Sequence, residues 1–167
     1  MQLTFKIGDK AVYPSHGVGE VTAIENREIA GQQQQSFYIL RILDNGMMIM
    51  VPTNNVRLVG LRAVINKEQV DKVFKVLRER VLNAGTTTWN RRFREYMEKI
   101  NTGSVFEVAA VLRDLYVLKG GKDLSFCERK LLDTAHGLLV NELAIAKNCG
   151  EADIERELAG IFPCLAH

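Results

Sequence analysis

The chain has 167 residues, of which 47% are hydrophobic and 25% charged, and its net charge at neutral pH is +2. This composition predicts a globular protein of one or two small domains, and it excludes a disordered chain and a membrane-spanning bundle. The charge is unevenly spread. Residues 67–100 hold nine Lys/Arg against five Asp/Glu, whereas residues 101–167 hold seven against ten. Any patch that binds phosphate is therefore expected in the middle of the chain.

The first sixty residues read as short β-strands separated by turn residues. Ala11-Val12-Tyr13 and the runs 19–24, 37–43 and 47–51 have β-type composition. The pair Asn45-Gly46 suits a tight hairpin, and residues 32–35, a glutamine run, suit a polar hairpin tip. Gly17 and Gly19 are interpreted as sites of bends or bulges. About five strands in this length predict a small, strongly bent barrel of the SH3 or Tudor kind.

After about Lys67 the apolar pattern changes to a helical period. A first helix is expected to end near residues 83–85, and a second to begin near Trp89. Ser104 and Ser125 each begin a Ser-x-x-Glu capping box, which predicts two further helix starts. A last helix is expected over residues 151–161. The fold class is thus α+β in two domains, a β-barrel over residues 1–64 and a compact bundle of about five helices over residues 65–167.

Reactive groups that converge on one site are not evident. No Gly-rich phosphate loop has the required spacing, and the three histidines lie far apart without nearby metal-ligand partners. The three cysteines are widely spaced, which favours reduced thiols over disulfides. No cofactor, metal or catalytic residue is predicted. The N-terminus has no secretory pattern, so the cytoplasm is the expected compartment.

Trp89 is the only tryptophan, and it lies at a predicted helix start beside Arg91, Arg92 and Arg94. An aromatic wedge flanked by guanidinium groups suits a DNA backbone and a partly unstacked base step. A core tryptophan beside a solvated basic face explains the same pattern slightly better on composition alone. Met97 and Phe126 are candidates for the same mixed apolar and basic patch.

A second candidate surface lies in the strand-rich half. Arg27, Glu28 and Ile29 are expected near a strand edge, where a partner's strand could pair. Met47, Met48 and Met50 follow on another strand. Methionines adapt well to partners, but they are equally common as core residues.

Motifs of one known family run in order through both halves of the chain. The first extends from Phe5-Lys6 through Val12-Tyr13-Pro14 to His16-Gly17-Val18-Gly19. The others are Phe37 to Leu43, Val51-Pro52-x-x-Asn55, Gly60-Leu61-Arg62, Thr88-Trp89-Asn90-Arg91-Arg92, Val111-x-Arg113-Asp114-Leu115 and Leu124-Ser125-x-x-Glu128-Arg129. With these motifs the chain resembles the CarD/CdnL family of bacterial transcription regulators, whose opening module is shared with transcription-repair coupling factors. The short chain is most similar to CdnL-type members.

The resemblance implies that the two domains bind different partners. A Tudor-like first domain binds the β subunit of RNA polymerase, with Arg27, Glu28 and Ile29 on the polymerase face. The family position before Val51-Pro52 is basic in some members but is Met50 here, so a polar contact at that position is in doubt. The helical domain contacts promoter DNA near the −10 element, with Trp89 as a minor-groove wedge and Arg91, Arg92 and Arg94 on the backbone.

These expectations define a non-enzymatic regulator that stabilises the open promoter complex, works as a monomer and does not enter membranes. Weak, salt-sensitive DNA binding with little sequence specificity is expected of the protein alone. The alternative is an adaptor that docks on polymerase and recruits a second protein through the same mixed patch, without contacting DNA.

Overall fold

A computed structural model describes residues 5–29, 33–79, 89–121 and 124–162. The chain divides into two compact units, residues 1–64 and 65–167, and each is described here by itself. The first unit is built on a five-stranded antiparallel sheet, and the second contains five helices in the described ranges. The predicted α+β class is confirmed.

The sheet of the first unit has the strand order β4-β3-β2-β1-β5. Its strands are β1 (Lys10–Tyr13), β2 (Gly17–Ile29), β3 (Gln33–Ile42), β4 (Met48–Pro52) and β5 (Arg62–Ala63), and a short helix α1 (Val56–Val59) precedes β5. Inward-facing apolar side chains from several strands meet in one core, because successive residues of a strand face opposite sides of the sheet. The buried residues of this core are Phe5, Ala11, Val21, Tyr38, Leu40, Ile42, Val51, Val56 and Leu61.

Two strands extend further than the sequence predicted. The expected end of β2 was residue 24, and residues 32–35 were interpreted as a hairpin tip. Instead β2 continues to Ile29, and β3 begins at Gln33, which pairs with Ile29. The extension is a two-stranded ribbon with polar residues on both strands. An alternation of apolar and polar residues does not predict this ribbon, because its strands are held by backbone pairing and neither of its faces is buried.

Gly19 serves close packing rather than the predicted bend. A Cβ atom on Gly19 would lie 2.6 Å from Cγ of Leu40, which is fully buried. The irregularity in β2 falls at residue 22 instead, where the register with β3 shifts between Val21 and Ala23. The extra residue there is a β-bulge, which bends the strand and strengthens its twist.

The hairpin between β3 and β4 closes through Gly46. This residue has φ of +74°, a conformation that favours glycine, and its N–H donates to the carbonyl of Ile42. The Asn45 side chain accepts from the N–H of Met47 at 2.9 Å. The two residues of the predicted turn pair thus have separate tasks, since only Gly46 takes the positive φ.

The second unit packs its helices around one core. They are α2 (Lys67–Arg78), α3 (Trp89–Asn101), α4 (Val105–Gly121), α5 (Phe126–Lys147) and α6 (Glu151–Ile161). The Ser125 capping box is confirmed, because Ser125 Oγ accepts from the N–H of Glu128 while Glu128 Oε1 accepts from the N–H of Ser125. Asn148 ends α5 in the left-handed conformation, with φ of 54°. The largest fully buried side chains of this core are Leu77, Ile100, Leu112, Leu115, Leu139, Leu143, Ile154 and Leu158.

Helix α2 ends at Arg78, earlier than the predicted end near residue 83. Glu79 already has an extended backbone, with ψ of 141°. The buried Arg113 of α4 donates from Nη1 to the carbonyl oxygen of Val76 at 3.2 Å, and the same nitrogen lies 3.4 Å from Glu79 Oε2. A cation that satisfies a last-turn carbonyl stabilises a helix C-terminus. This tertiary contact was not visible in the local sequence of α2.

Candidate nucleic-acid and partner interfaces

The beginning of α3 carries an apolar face that is accessible to solvent. Tyr96 and Ile100 are 6% and 1% exposed and belong to the core of the second unit. Phe93 lies one turn earlier on the same side of the helix, because residues three or four apart share a helical face. It is nevertheless 36% exposed. Met97 is half-buried and packs against the core. The helix face that is buried near the end of α3 is therefore exposed to solvent near its start.

Phe93 is a surface residue that the sequence analysis missed. It was not among the predicted residues of the mixed patch, although it lies at helical spacing to Met97 and Ile100. The available signal was its place one turn after Trp89, since two aromatic residues four positions apart at a helix start form one continuous strip. The predicted patch thus gains a further aromatic side chain.

The arginines of α3 do not occupy equivalent positions. Arg91 and Arg94 are exposed and lie three residues apart, so they share one side of the helix, whereas Arg92 is half-buried. Arg91 Nε is 3.5 Å from Glu95 Oε1, and these two side chains are 73% and 50% exposed. A solvated pair of this kind contributes little energy, so a phosphate group can replace the carboxylate.

Charges from several helices surround the buried Tyr96. Burial, followed by the negative charge of Asp114, raises the pKa of the Tyr96 phenol to about 12, while the positive charge of Arg92 acts in the opposite direction. Glu128 also raises this pKa. Tyr96 is consequently neutral throughout the physiological pH range.

Phe126 is the first residue of α5, and its side chain is 75% exposed. Two residues later, Glu128 is only 4% exposed, which ties this end of the helix into the bundle. The capping box at Ser125 fixes the backbone on which Phe126 stands. Phe126 is thus a large apolar ring held at the surface by a capped helix start.

Trp89 is the first residue of α3, so its backbone begins the helix as the sequence predicted. Its side chain lies outside the described part of the molecule, as do residues 80–88. Among the DNA-contact candidates, Arg91, Arg92, Arg94 and Met97 lie on α3, and Phe126 lies at the start of α5.

The candidate polymerase contacts form the end of β2. Arg27, Glu28 and Ile29 are its last three residues and pair with three glutamines of β3. The Arg27 side chain is 56% exposed, and its Nη2 lies 2.8 Å from Glu25 Oε2 on the same face of the strand. Glu28 is exposed, whereas the side chain of Ile29 lies outside the described atoms.

One edge of this ribbon is open. In the described ranges, β2 pairs with β1 only through residues 17–20, and from Ala23 onwards its one strand partner is β3. The outer N–H and C=O groups of residues 23–29 have the geometry that accepts an additional strand. The open edge includes all three candidate polymerase contacts.

Exposed methionines occupy the opposite border of the sheet. Met48 and Met50 are 55% and 41% exposed on β4, an edge strand in the sheet order. They pair with Arg41 and Ile39 of β3 and so share one sheet face with them. A contact at Met50 would therefore be apolar.

Neither a metal site nor a membrane helix is found in the described parts of the chain. No three His, Cys, Asp or Glu side chains of these residues come together as possible metal ligands. No described helix is both long and apolar enough to span a bilayer. Cys127 and Cys149 are free thiols.

Comparisons with known proteins decide the family. The model of the CarD-like/TRCF RID domain matches residues 5–65, and that of the CarD C-terminal domain matches residues 72–159. The chain belongs to the CarD family. The Bacillus subtilis (strain 168) protein YdeB, named provisionally as a transcription factor, is 34% identical over 155 residues, which cover 90% of this chain and 97% of YdeB. The solved structure of CdnLNt from Myxococcus xanthus is 64% identical, covers 40% of this chain and 93% of its own, and has a TM-score of 0.33.

The resemblance seen in the sequence is thereby confirmed for both halves of the molecule. The protein is a member of the CarD/CdnL family of transcription factors, and the match to the RID domain agrees with the predicted Tudor-like first unit. Membership implies an interaction with RNA polymerase, and the family is one of regulators rather than of enzymes.

Proposed function

We propose that this protein binds the β subunit of RNA polymerase and stabilises the open promoter complex, without catalysing a reaction and without a cofactor. The main support is the start of α3, where Phe93 is exposed on one side of the helix and Arg91 and Arg94 are exposed on another. An apolar ring and guanidinium groups on different sides of one helix start suit a distorted minor groove and the phosphate backbones that border it. The protein acts as a monomer on polymerase, in the cytoplasm and near the nucleoid.

Polymerase docking is assigned to the first unit. A strand at the surface of the β subunit pairs with the open edge of β2, and Arg27 and Glu28 provide charged contacts at its end. Ile29 completes this contact. Main-chain hydrogen bonds then supply affinity, and the side chains on alternate positions supply specificity.

DNA contact is assigned to α3 and to the start of α5. Trp89 enters the minor groove at the upstream edge of the transcription bubble, and Phe126 and Met97 extend the apolar surface that packs on the sugars. Arg91 and Arg94 bind phosphate groups from one side of α3. Arg92 is half-buried near Tyr96, so we expect a smaller contribution from it than from the two exposed arginines.

The effect on the promoter follows from differential affinity. A ligand shifts an equilibrium between two states only as far as it binds one of them better. Unstacking a base step costs a few kcal/mol, and an inserted ring offsets this cost where polymerase has already distorted the duplex. Docking on polymerase supplies the effective concentration that the weakly basic second unit requires, and it also fixes the promoter position.

The decisive experiment measures the lifetime of open complexes formed by purified polymerase on promoter DNA. Loss of one stacked ring is worth about 1–3 kcal/mol per base, so Trp89→Ala should shorten the lifetime about tenfold or more. Arg156→Ala is the matched control for loss of a surface contact, because Arg156 is an exposed residue of α6 paired with Asp153.

A lifetime unaffected by Trp89→Ala, with polymerase binding intact, would reject the wedge and favour the adaptor. Failure of the unmodified protein to bind the isolated β subunit would instead reject both functions.

A further inference from the structure

The open edge of β2 is at least partly accessible at every residue from Thr22 to Glu28. Thr22, Ile24, Asn26, Arg27 and Glu28 are exposed, and Ile24 alone is 43% exposed despite its apolar side chain. Natural edge strands are usually protected by repelling charges or by a short length. This edge has neither protection, since it continues for several residues and carries both signs of charge.

The backbone groups that face outward on this edge can be assigned. Val21 donates its N–H to the carbonyl of Asp9 and accepts at its own carbonyl from Gly8, so its polar groups face away from β3. The one-residue bulge at Thr22 shifts the alternation by one position. Beyond the bulge the outward N–H and C=O groups therefore belong to the even-numbered residues Ile24, Asn26 and Glu28.

The sequence along this edge is complementary to itself in antiparallel pairing. If Asn26 is placed opposite Asn26 of a second copy, each outward-facing backbone group meets a partner. Glu25 then lies opposite Arg27 of the second copy, and Arg27 lies opposite its Glu25. These are non-hydrogen-bonded pairs, in which side chains approach most closely. Glu25 and Arg27 already form an ion pair within one strand. The four side chains of the two copies therefore form a ring in which negative and positive charges alternate.

We propose that two copies of this protein pair edge to edge through β2, antiparallel about a two-fold axis at Asn26, with Glu25 and Arg27 forming the reciprocal charge contacts. The ribbon edge is small compared with stable dimer interfaces, so the dissociation constant is on the order of 100 µM. The pair is salt-sensitive, because exposed ion pairs contribute to it.

Pairing has a regulatory consequence that rests on the proposed function. The edge that the second copy covers contains Arg27 and Glu28, the proposed polymerase contacts. Polymerase and the second copy therefore compete for one edge, and only the monomer is able to dock. Self-pairing at high local concentration withdraws protein from promoters until free polymerase becomes available.

Charge reversal tests this arrangement. Sedimentation velocity of the full chain, over a concentration series from about 10 µM to 1 mM spanning the expected dissociation constant, should show a reversible monomer–dimer equilibrium. Arg27→Glu places four carboxylates in the ring, and Glu25→Arg places four guanidinium groups there, so each variant should lose pairing at least tenfold. The two variants mixed in equal amounts should associate with each other, because both cross-strand contacts of the mixed pair are again attractive.

The double variant Glu25→Arg/Arg27→Glu is the control for folding and composition. It contains the same residues as the unmodified chain with their positions exchanged, and it should self-associate like the unmodified chain. Circular dichroism melting confirms that each single variant is folded before its association is measured.

Several results would overturn the proposal: an unmodified chain that stays monomeric throughout the series, single variants that pair as well as the unmodified chain, or a mixture that does not associate. None of these bears on polymerase docking, which is measured separately by capture of the β subunit. Conversely, a chain that pairs as described but does not bind the β subunit would reject the proposed function and leave the pairing intact.

Discussion

The end of the β2–β3 ribbon and the start of α3 are both surface regions, but they present different chemistry. The ribbon offers backbone N–H and C=O groups along an open edge, framed by the polar side chains of Arg27, Glu28 and the glutamines of β3. The start of α3 offers side chains instead, above all Phe93 and Arg91. Strand edges suit a protein partner that contributes its own strand, whereas aromatic rings beside arginines suit a nucleic acid.

The largest expected effect comes from a substitution that destabilises the first unit and leaves the second unit folded. Gly19→Val would place side-chain atoms where Leu40 Cγ lies 2.6 Å from an added Cβ. Overpacking of a core costs about 1–3 kcal/mol, and we expect the upper end because Leu40 is fully buried. Melting of the two units, followed by hydrogen exchange, should show loss of protection in residues 5–64 alone. The double variant Gly19→Val/Leu40→Ala, which makes room, should recover part of the loss.

Next in size is the effect of removing a charge from the ribbon. Arg27→Ala should weaken capture of the polymerase β subunit about tenfold, as expected for one contact of a small interface. Arg41→Ala is a matched control, because Arg41 is also about half exposed on this sheet and pairs with Glu20 at 3.4 Å. Equal losses from both substitutions would mean that the charge of the whole sheet, rather than the end of β2, guides docking.

A pH experiment tests the burial of Tyr96 on α3. The pKa of Tyr96 is raised from its ordinary value of 10.0 to about 12, so the folded chain keeps this proton at pH values where the unfolded chain releases it. The stabilisation is complete below pH 10 and is lost as the pH rises towards 12. Between pH 9 and 11, the free energy of unfolding should fall by about 1 kcal/mol more in the unmodified chain than in Tyr96→Phe. Parallel curves from denaturant titrations would contradict the assignment of this burial.

The smallest expected effect concerns salt. Arg91→Ala should reduce the slope of log DNA affinity against log salt concentration by about one, the change expected for one lost phosphate contact. Arg92→Ala should reduce it less, because Arg92 is half-buried. Fluorescence anisotropy at several salt concentrations measures both slopes. The same substitutions should leave capture of the polymerase β subunit unchanged, since the proposed docking edge lies in the other unit.

The sequence predicted the start of α3 better than the β2–β3 ribbon, because different interactions form the two regions. The helix starts at Trp89 and Phe126 were predicted closely, because capping residues and three- to four-residue spacing are local signals. The ribbon was underestimated, since its strands are formed by backbone pairing between polar residues. The exposure of Phe93 was not predicted, because spacing identifies the apolar face of a helix but not how much of that face its neighbours cover.

The sequence by itself determined the change from strands to helices near residue 65, most inward-facing residues and the similarity to CarD proteins, because these depend on local propensity and on the order of residues. Only the tertiary structure decided that Gly19 makes room for Leu40, that Arg113 satisfies the end of α2, and that the start of α3 is surface while its end is core. Each of these features depends on contact with a residue that is distant in the chain. A local sequence pattern does not specify the distances between helices and strands.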